Sequence, residues 1–186
     1  MYGLVNKAIE EFVCSQGGEE TWYNIKDKAG VTEVAFVSNE GYPDSLTYDL
    51  VGAASEVLEK DAGEILILFG EYWILETAQN NYGQLIREGG ESLPEFLQNL
   101  PNFHARVSLL FPNLKPPSFK ISQIKEKSLL LHYSSHREGL ENFVVGIIQG
   151  LGKMFRTPAT CTLVTTDAIT EGAGDREFVV DWKERA

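Results

Sequence analysis

The sequence predicts an α+β fold, with a helical N-terminal lobe over about residues 1–112 and an α/β lobe over about 113–186. Apolar residues recur at helical spacing through the first part, whereas strand-like runs begin after Pro112. Strands are predicted over 118–124, 128–135, 160–166 and 177–183, with an amphipathic helix over 138–155 and a glycine-rich turn before the last strand. With 186 residues, 43% of them hydrophobic, and no visible linker, we expect one domain over 1–186.

The helical lobe divides at glycine, proline and capping residues. Helices are predicted over residues 2–16, 19–29, 44–59, 61–79, 82–87 and 92–110. Gly17-Gly18 separates the first two, and Asp44 or Ser45 is expected to cap the third. Leu100-Pro101 is expected to interrupt the last helix and restart it, because proline removes a backbone donor.

Charge and composition exclude several classes of protein. A net charge of −11 argues against nucleic-acid binding and against an anionic membrane surface. No run of about 18 apolar residues is present for a membrane span, and the first residues lack a signal-peptide pattern. Cys14 and Cys161 carry no CxxC spacing, so we expect reduced thiols in a cytoplasmic protein.

A row of hydrogen-bond donors ends the strand predicted over 128–135. Because side chains alternate along a strand, Tyr133, Ser135 and Arg137 point to one face. Two hydroxyls and a guanidinium suit one or two carboxylates or phosphates, and the arginine fork can bind such a group bidentately. A solvated polar strand end is the simpler alternative, and spacing alone leaves both interpretations open.

His104 lies in a predicted helical segment among apolar neighbours, whereas His132 and His136 are expected at the surface. A lone histidine in such a segment is more often a core residue than a ligand. A haem, however, requires one axial protein group, an apolar pocket and a grip on two propionates. The chain has parts compatible with each requirement.

Other kinds of catalytic and metal site lack their sequence patterns. No GxSxG nucleophile elbow, P-loop or GxGxxG is present. Zinc would require clustered histidines and cysteines at short spacing. Paired carboxylates are uninformative in so acidic a chain.

These residues resemble the haem nitric oxide/oxygen-binding (H-NOX) family, which includes the haem domain of soluble guanylate cyclase and bacterial stand-alone sensors. The resemblance rests on Tyr133-x-Ser135-x-Arg137 with an upstream helical His104, and it runs through almost the whole chain. Further segments similar to the cyclase β-subunit domain are Met1-Tyr2-Gly3, Val5-Asn6, Thr47-Tyr48-Asp49-Leu50-Val51, Ala53-Ala54-Ser55, Ala62-Gly63-Glu64-Ile65-Leu66, Phe69-Gly70, Glu95-Phe96-Leu97-Gln98-Asn99-Leu100, Pro117-Ser118-Phe119 and Arg137-Glu138-Gly139-Leu140. The resemblance implies a stand-alone sensor, not an enzyme, with haem b buried between the two lobes.

The resemblance also implies a role for each matching residue. His104 would be the axial ligand of the iron. Tyr133, Ser135 and Arg137 would hydrogen-bond the haem propionates, in agreement with the donor row. Pro117 would press against the porphyrin and bend it out of plane. The residues expected to line the haem cavity are Val5, Ile9, Trp73, Phe143 and Ile147.

The distal residue suggests which gas is bound. Oxygen-binding members carry a distal tyrosine on the helix after the motif, and that position here is Phe143. Because a phenyl ring cannot donate a hydrogen bond to dioxygen, we expect the ferrous protein to bind NO and CO and to exclude O₂. The Trp73 indole N–H would compete with this expectation if it faced the iron, but packing against the porphyrin is the favoured interpretation.

The resemblance further implies a switch. NO would weaken or break the iron–His104 bond, the haem would relax off Pro117, and the lobes would shift. Such a change signals only if a partner binds the two states differently. In bacterial members the partner is a histidine kinase or a cyclic-nucleotide or cyclic-di-GMP enzyme. The alternatives are an O₂-binding haem sensor, a haem-free interaction module, and a haem enzyme, which is disfavoured because the predicted distal pocket lacks an acid/base group.

Overall fold

The structure, a computed structural model, describes residues 1–110, 115–164 and 175–183, without the side chain of Leu110. Its elements confirm the predicted α+β class. In chain order they are α1 (Gly3–Lys28), α2 (Asp44–Val57), α3 (Ala62–Tyr72), a π-helix (Trp73–Ala78), α4 (Gln79–Arg87), α5 (Leu93–Leu110), β1 (Ser118–Ser122), β2 (Ser128–Ser134), α6 (Glu141–Met154), β3 (Ala159–Leu163) and β4 (Asp175–Trp182). The glycine-rich turn predicted before the last strand lies outside the described residues. No helix in the described ranges is long and apolar enough to cross a bilayer.

The chain forms two compact units, Met1–Phe69 and Gly70–Ala186. The division falls inside α3 and differs from the lobe boundary predicted near residue 112. The reason is packing within the second unit, where the π-helix contacts α6 and α5 contacts β1. The helices from Gly70 onward therefore share a compact unit with the sheet.

The first unit contains α1, α2 and the part of α3 up to Phe69. The two helices predicted over 2–16 and 19–29 form one element with a break at Gly18, whose φ of 79° is left-handed backbone that favours glycine. Helix α2 follows Pro43 without a side-chain cap, so the cap predicted from Asp44 or Ser45 is wrong. The Asp44 carboxylate instead pairs with the N-terminal amine of Met1.

The helices from Ala62 onward are more continuous than predicted. Residues from Ala62 to Arg87 form one helical run, which contains the π-helix and a kink at Tyr82. Helix α5 continues through Pro101, so the predicted interruption is wrong. Leu97 and Leu100, in the turn before Pro101, are buried in the core. Their burial offsets the destabilisation of about 3 kcal/mol that a proline causes inside a helix.

The sheet has four antiparallel strands in the order β1-β2-β4-β3. Its register places Phe119 opposite Tyr133, and Tyr133 opposite Arg176. One sheet face contributes Leu131 and Phe178 to the core, which also contains residues of α6. The opposite face carries Lys120, His132 and Glu177 together with the apolar pair Leu130 and Val179, because alternate residues of each strand point away from the core.

Helix α6 lies very close to the end of α3. A Cβ atom at Gly70 would stand 2.5 Å from the backbone oxygen of Phe143. One at Gly150 would stand 3.0 Å from Cβ of Ile74. Glycine at both positions therefore allows α6 to approach the helical run within the second unit.

Candidate functional site

His104 lies on α5, half-buried, with its Nδ1 atom 3.1 Å from the carbonyl oxygen of Leu100. A carbonyl oxygen only accepts, so Nδ1 carries the hydrogen and, in the neutral ring, Nε2 keeps its lone pair. Burial lowers the pKa of His104, and the hydrogen bond to Leu100 opposes that effect in part. The imidazole is thus held neutral with one nitrogen able to ligate a metal.

An aromatic ring connects this histidine to the sheet. The Phe119 ring centroid lies 5.0 Å from that of His104 and 5.5 Å from that of Tyr133. Phe119 belongs to a segment that resembles the family, Pro117-Ser118-Phe119, but the sequence predicts no role for it. Its position between the two predicted site residues depends on strand register and on the packing of α5 against β1.

Strand β2 ends at Ser134, so of the predicted donor row only Tyr133 lies on the strand, and Ser135 and Arg137 follow its end. Tyr133 is 5% exposed, Ser135 and Arg137 are half-buried, and the residues between them are exposed. A hydrogen bond joins the hydroxyls of Tyr133 and Ser135, and the backbone N–H of Arg137 donates to Ser135 Oγ at 3.0 Å. Burial raises the pKa of Tyr133, so its phenol stays protonated as a donor.

Arg137 also holds the segment before β1. Its Nη1 donates to the carbonyl oxygen of Lys115 at 3.2 Å. Pro117 is half-buried at the end of that segment, directly before β1. The hydrogen bond therefore links the segment that contains Pro117 to the donor row.

Sequence reasoning missed a second guanidinium beside Tyr133. Arg176 stands opposite Tyr133 in the register, and its Nε pairs with Glu141 Oε1 at 2.9 Å. Its Nη1 donates to the carbonyl oxygen of Asp175. Only the pairing of β2 with β4 reveals this position, and no sequence motif marks it.

The five residues predicted to line a cavity fall in both compact units. Trp73 and Phe143 meet edge to face with ring centroids 6.4 Å apart, and Ile147 packs against the same core cluster. Val5 and Ile9 lie on α1 of the first unit, where Ile9 is buried and Val5 half-buried. The structure thus brings together Trp73 and Phe143 within the second unit.

The donor set of the second unit fits a haem. It offers one neutral imidazole nitrogen, an aromatic surface at Phe119, and a row of hydroxyl and guanidinium donors suited to carboxylates. Among the described residues, no group of three or more His, Cys, Asp or Glu side chains is arranged to hold a bare metal ion.

Comparison with known proteins agrees with these observations. The Haem-NO-binding family model matches residues 2–163. Soluble guanylate cyclase gcy-31 of Caenorhabditis elegans is 30% identical over 165 residues, which cover 88% of this chain and 24% of the relative. Guanylate cyclase soluble subunit beta-2 of Rattus norvegicus is 34% identical over 117 residues, which cover 62% of this chain and 17% of the relative. The chain thus spans about a quarter or less of the length of these relatives.

Solved structures show the same fold. The H-NOX protein from S. oneidensis in the Fe(II)NO ligation state has a TM-score of 0.85 at 18% identity, covering 98% of this chain and 99% of that one. The Fe(II) unliganded H-NOX protein from K. algicida has a TM-score of 0.83 at 20% identity, covering 99% and 97%. With the family match over most of its length, the chain belongs to the Haem-NO-binding (H-NOX) family.

Proposed function

We propose that this chain is a haem-based gas sensor that holds haem b through His104 and binds NO and CO at ferrous iron while excluding O₂. The observation that carries the proposal is the bond from His104 Nδ1–H to the Leu100 carbonyl, which leaves Nε2 as the ligating atom. Membership of the Haem-NO-binding family supports haem as the group that this nitrogen binds.

The chain's own residues would bind and orient the cofactor. Tyr133, Ser135 and Arg137 offer hydroxyl and guanidinium hydrogens to its propionates, and Phe119 keeps the imidazole in place. Haem supplies the ferrous iron at which diatomic gases bind. Pro117, held near Arg137 through Lys115, is the residue that we expect to press on the porphyrin.

Selectivity against O₂ rests on Phe143. Dioxygen would need a hydrogen-bond donor in the distal pocket for stable binding, whereas NO and CO would bind without one. Phe143 has no such donor. Trp73 does carry an indole N–H, but its edge-to-face contact with Phe143 supports a packing role for the ring.

Signalling would follow from release of His104. If NO weakened the bond at Nε2, the imidazole and Phe119 would be free to move, and the contact expected at Pro117 would change. A separate partner that binds the two states differently would complete the signal. A histidine kinase or a cyclic-nucleotide or cyclic-di-GMP enzyme is the kind of partner we propose, and the cyclase relatives are consistent with nucleotide signalling.

An absorption spectrum of the purified chain tests this proposal. A Soret band that is unchanged in air and blue-shifted by NO supports the NO sensor, whereas a stable oxy spectrum would move the function to O₂. A colourless protein after haem addition would indicate a haem-free interaction module. His104→Ala should weaken haem binding or make it depend on added imidazole, whereas His136→Ala, at an exposed position, should leave the spectrum unchanged.

A further inference from the structure

A second cluster of polar side chains lies on the sheet face opposite the core. Ser122 is the last residue of β1, His132 lies on β2, and Glu177 lies on β4. Ser122 Oγ is 2.6 Å from His132 Nε2, and His132 Nδ1 is 3.0 Å from Glu177 Oε1. The register places His132 directly opposite Glu177, so three adjacent strands hold the row together.

The direction of these hydrogen bonds follows from the chemistry of the groups. In the neutral imidazole of His132, the Nδ1–H donates to the Glu177 carboxylate, which only accepts. Nε2 then keeps its lone pair and accepts the hydroxyl hydrogen of Ser122. A serine, a base that can take its proton, and a carboxylate that orients the base make the arrangement that activates serine nucleophiles.

The row is open to small reagents. The side chains of His132 and Glu177 are 35% and 46% exposed, and Ser122 is half-buried at the end of an edge strand. The next residue, Gln123, has a φ of 49°, a left-handed conformation uncommon for a side chain of this size. Lys120 stands opposite His132 in the register and is exposed, two residues before Ser122 on the same strand.

We propose that Ser122 is an activated serine that is acylated by small activated esters. Its Oγ forms a bond to the acyl carbon while the ester C–O bond breaks. The proton passes from Oγ to His132 Nε2 and from there to the leaving oxygen. The product is one acyl group on Ser122 for each leaving group released, and the step needs no haem.

Covalent labelling of the purified chain tests this proposal. A fluorophosphonate probe and p-nitrophenyl acetate should each add one group per chain, which peptide mass mapping should place on Ser122. Ser122→Ala should abolish that adduct. His132→Gln should slow labelling by about 100-fold, the lower range for a lost general base, and Glu177→Gln by about tenfold. Ser118→Ala changes an exposed serine on the same face of β1 and should leave the rate of labelling by both reagents unchanged.

Labelling of Ser122 no faster than that of Ser118, or a rate unchanged in both His132→Gln and Glu177→Gln, would show that the row only braces three strands. Circular dichroism and thermal melting would establish that each variant is folded. Should His132→Gln unfold, the comparison of Glu177→Gln with Ser118→Ala still decides the question, because neither changes the base itself.

Discussion

The imidazole of His104 and the phenyl ring of Phe119 lie with centroids 5.0 Å apart and planes inclined by 37°. The Phe119 ring in turn lies 5.5 Å from that of Tyr133. A contiguous row of rings therefore joins the proposed axial ligand to the donor row within the second unit. Displacement of the imidazole would therefore change its contact with Phe119.

Replacing Phe119 by leucine should remove two ring contacts while keeping an apolar side chain. We expect a loss of about 1–2 kcal/mol in the free energy of unfolding, because aromatic pairs contribute roughly 0.5–1.5 kcal/mol each beyond area burial. Urea denaturation measures the change. Tyr23→Leu, at a ring 62% exposed, serves as the control and should shift stability by less than about 0.5 kcal/mol. Equal effects of the two changes would argue against the contacts.

Arg137→Lys should test the proposed hydrogen bonds between the Arg137 guanidinium and the haem propionates. Lysine keeps the positive charge but loses the planar fork that binds a carboxylate bidentately. We expect haem to leave about tenfold faster, which corresponds to about 1.4 kcal/mol. Haem transfer to an acceptor protein gives the rate. Arg106→Lys, at an exposed position where the guanidinium pairs with Glu88, should not alter that rate.

Phe143→Tyr should introduce the donor that the wild-type position lacks. A tyrosine hydroxyl near the bound gas can donate to dioxygen, so we expect the reduced variant to give a stable oxy spectrum in air. Trp73→Phe removes the indole N–H, the other possible hydrogen-bond donor to the gas. This variant should respond to NO and to air as the wild type does. A wild-type oxy complex lost in Trp73→Phe would instead identify Trp73 as the donor.

Gly70→Ala should disturb the approach of α3 to α6. The added Cβ would stand 2.5 Å from the Phe143 backbone oxygen, and backbone must shift to relieve it. We expect a loss of about 1–3 kcal/mol on thermal or urea unfolding. Gly52→Ala, on α2 where an added Cβ would meet no atom of the described residues within 4 Å, should raise stability by about 0.5–1 kcal/mol. Stabilisation by both changes would contradict the close contact.

The two thiols should differ in reactivity. Burial raises the pKa of Cys161 to about 12, and that of half-buried Cys14 is raised by burial and by nearby glutamates. We expect Cys14 to be alkylated slowly in the folded protein and Cys161 only after unfolding, since the thiolate is the nucleophile. Mass spectrometry after iodoacetamide treatment, with and without concentrated urea, measures both sites. Modification of Cys161 first would contradict this prediction.

The raised pKa of Cys161 also gives stability a pH dependence. The unfolded thiol loses its proton near pH 8.5, whereas the folded one keeps it to about pH 12. Across this window the folded state binds more protons, so stability falls as pH rises. Cys161→Ala should flatten that part of the urea-midpoint profile relative to wild type, while Cys14→Ala should flatten it less. Identical profiles would argue against the burial of Cys161.

Much of the architecture follows from local sequence. The break at Gly18, the strands near 118–122 and 128–134, and the helix over 141–154 follow glycine conformation and apolar periodicity. Pro101 shows the limit of such rules. Local chemistry predicts an interrupted helix there, but burial of neighbouring leucines keeps α5 continuous.

The sequence by itself determined the α+β class and the family resemblance, because apolar periodicity and motif spacing are properties of the chain itself. Tertiary structure alone decided which residues meet across strands. Phe119 beside His104, Arg176 opposite Tyr133, and Ser122 against His132 depend on register and on helix packing, which local sequence leaves open. Contacts between segments distant in the chain are selected by burial of the whole core, so no single motif encodes them.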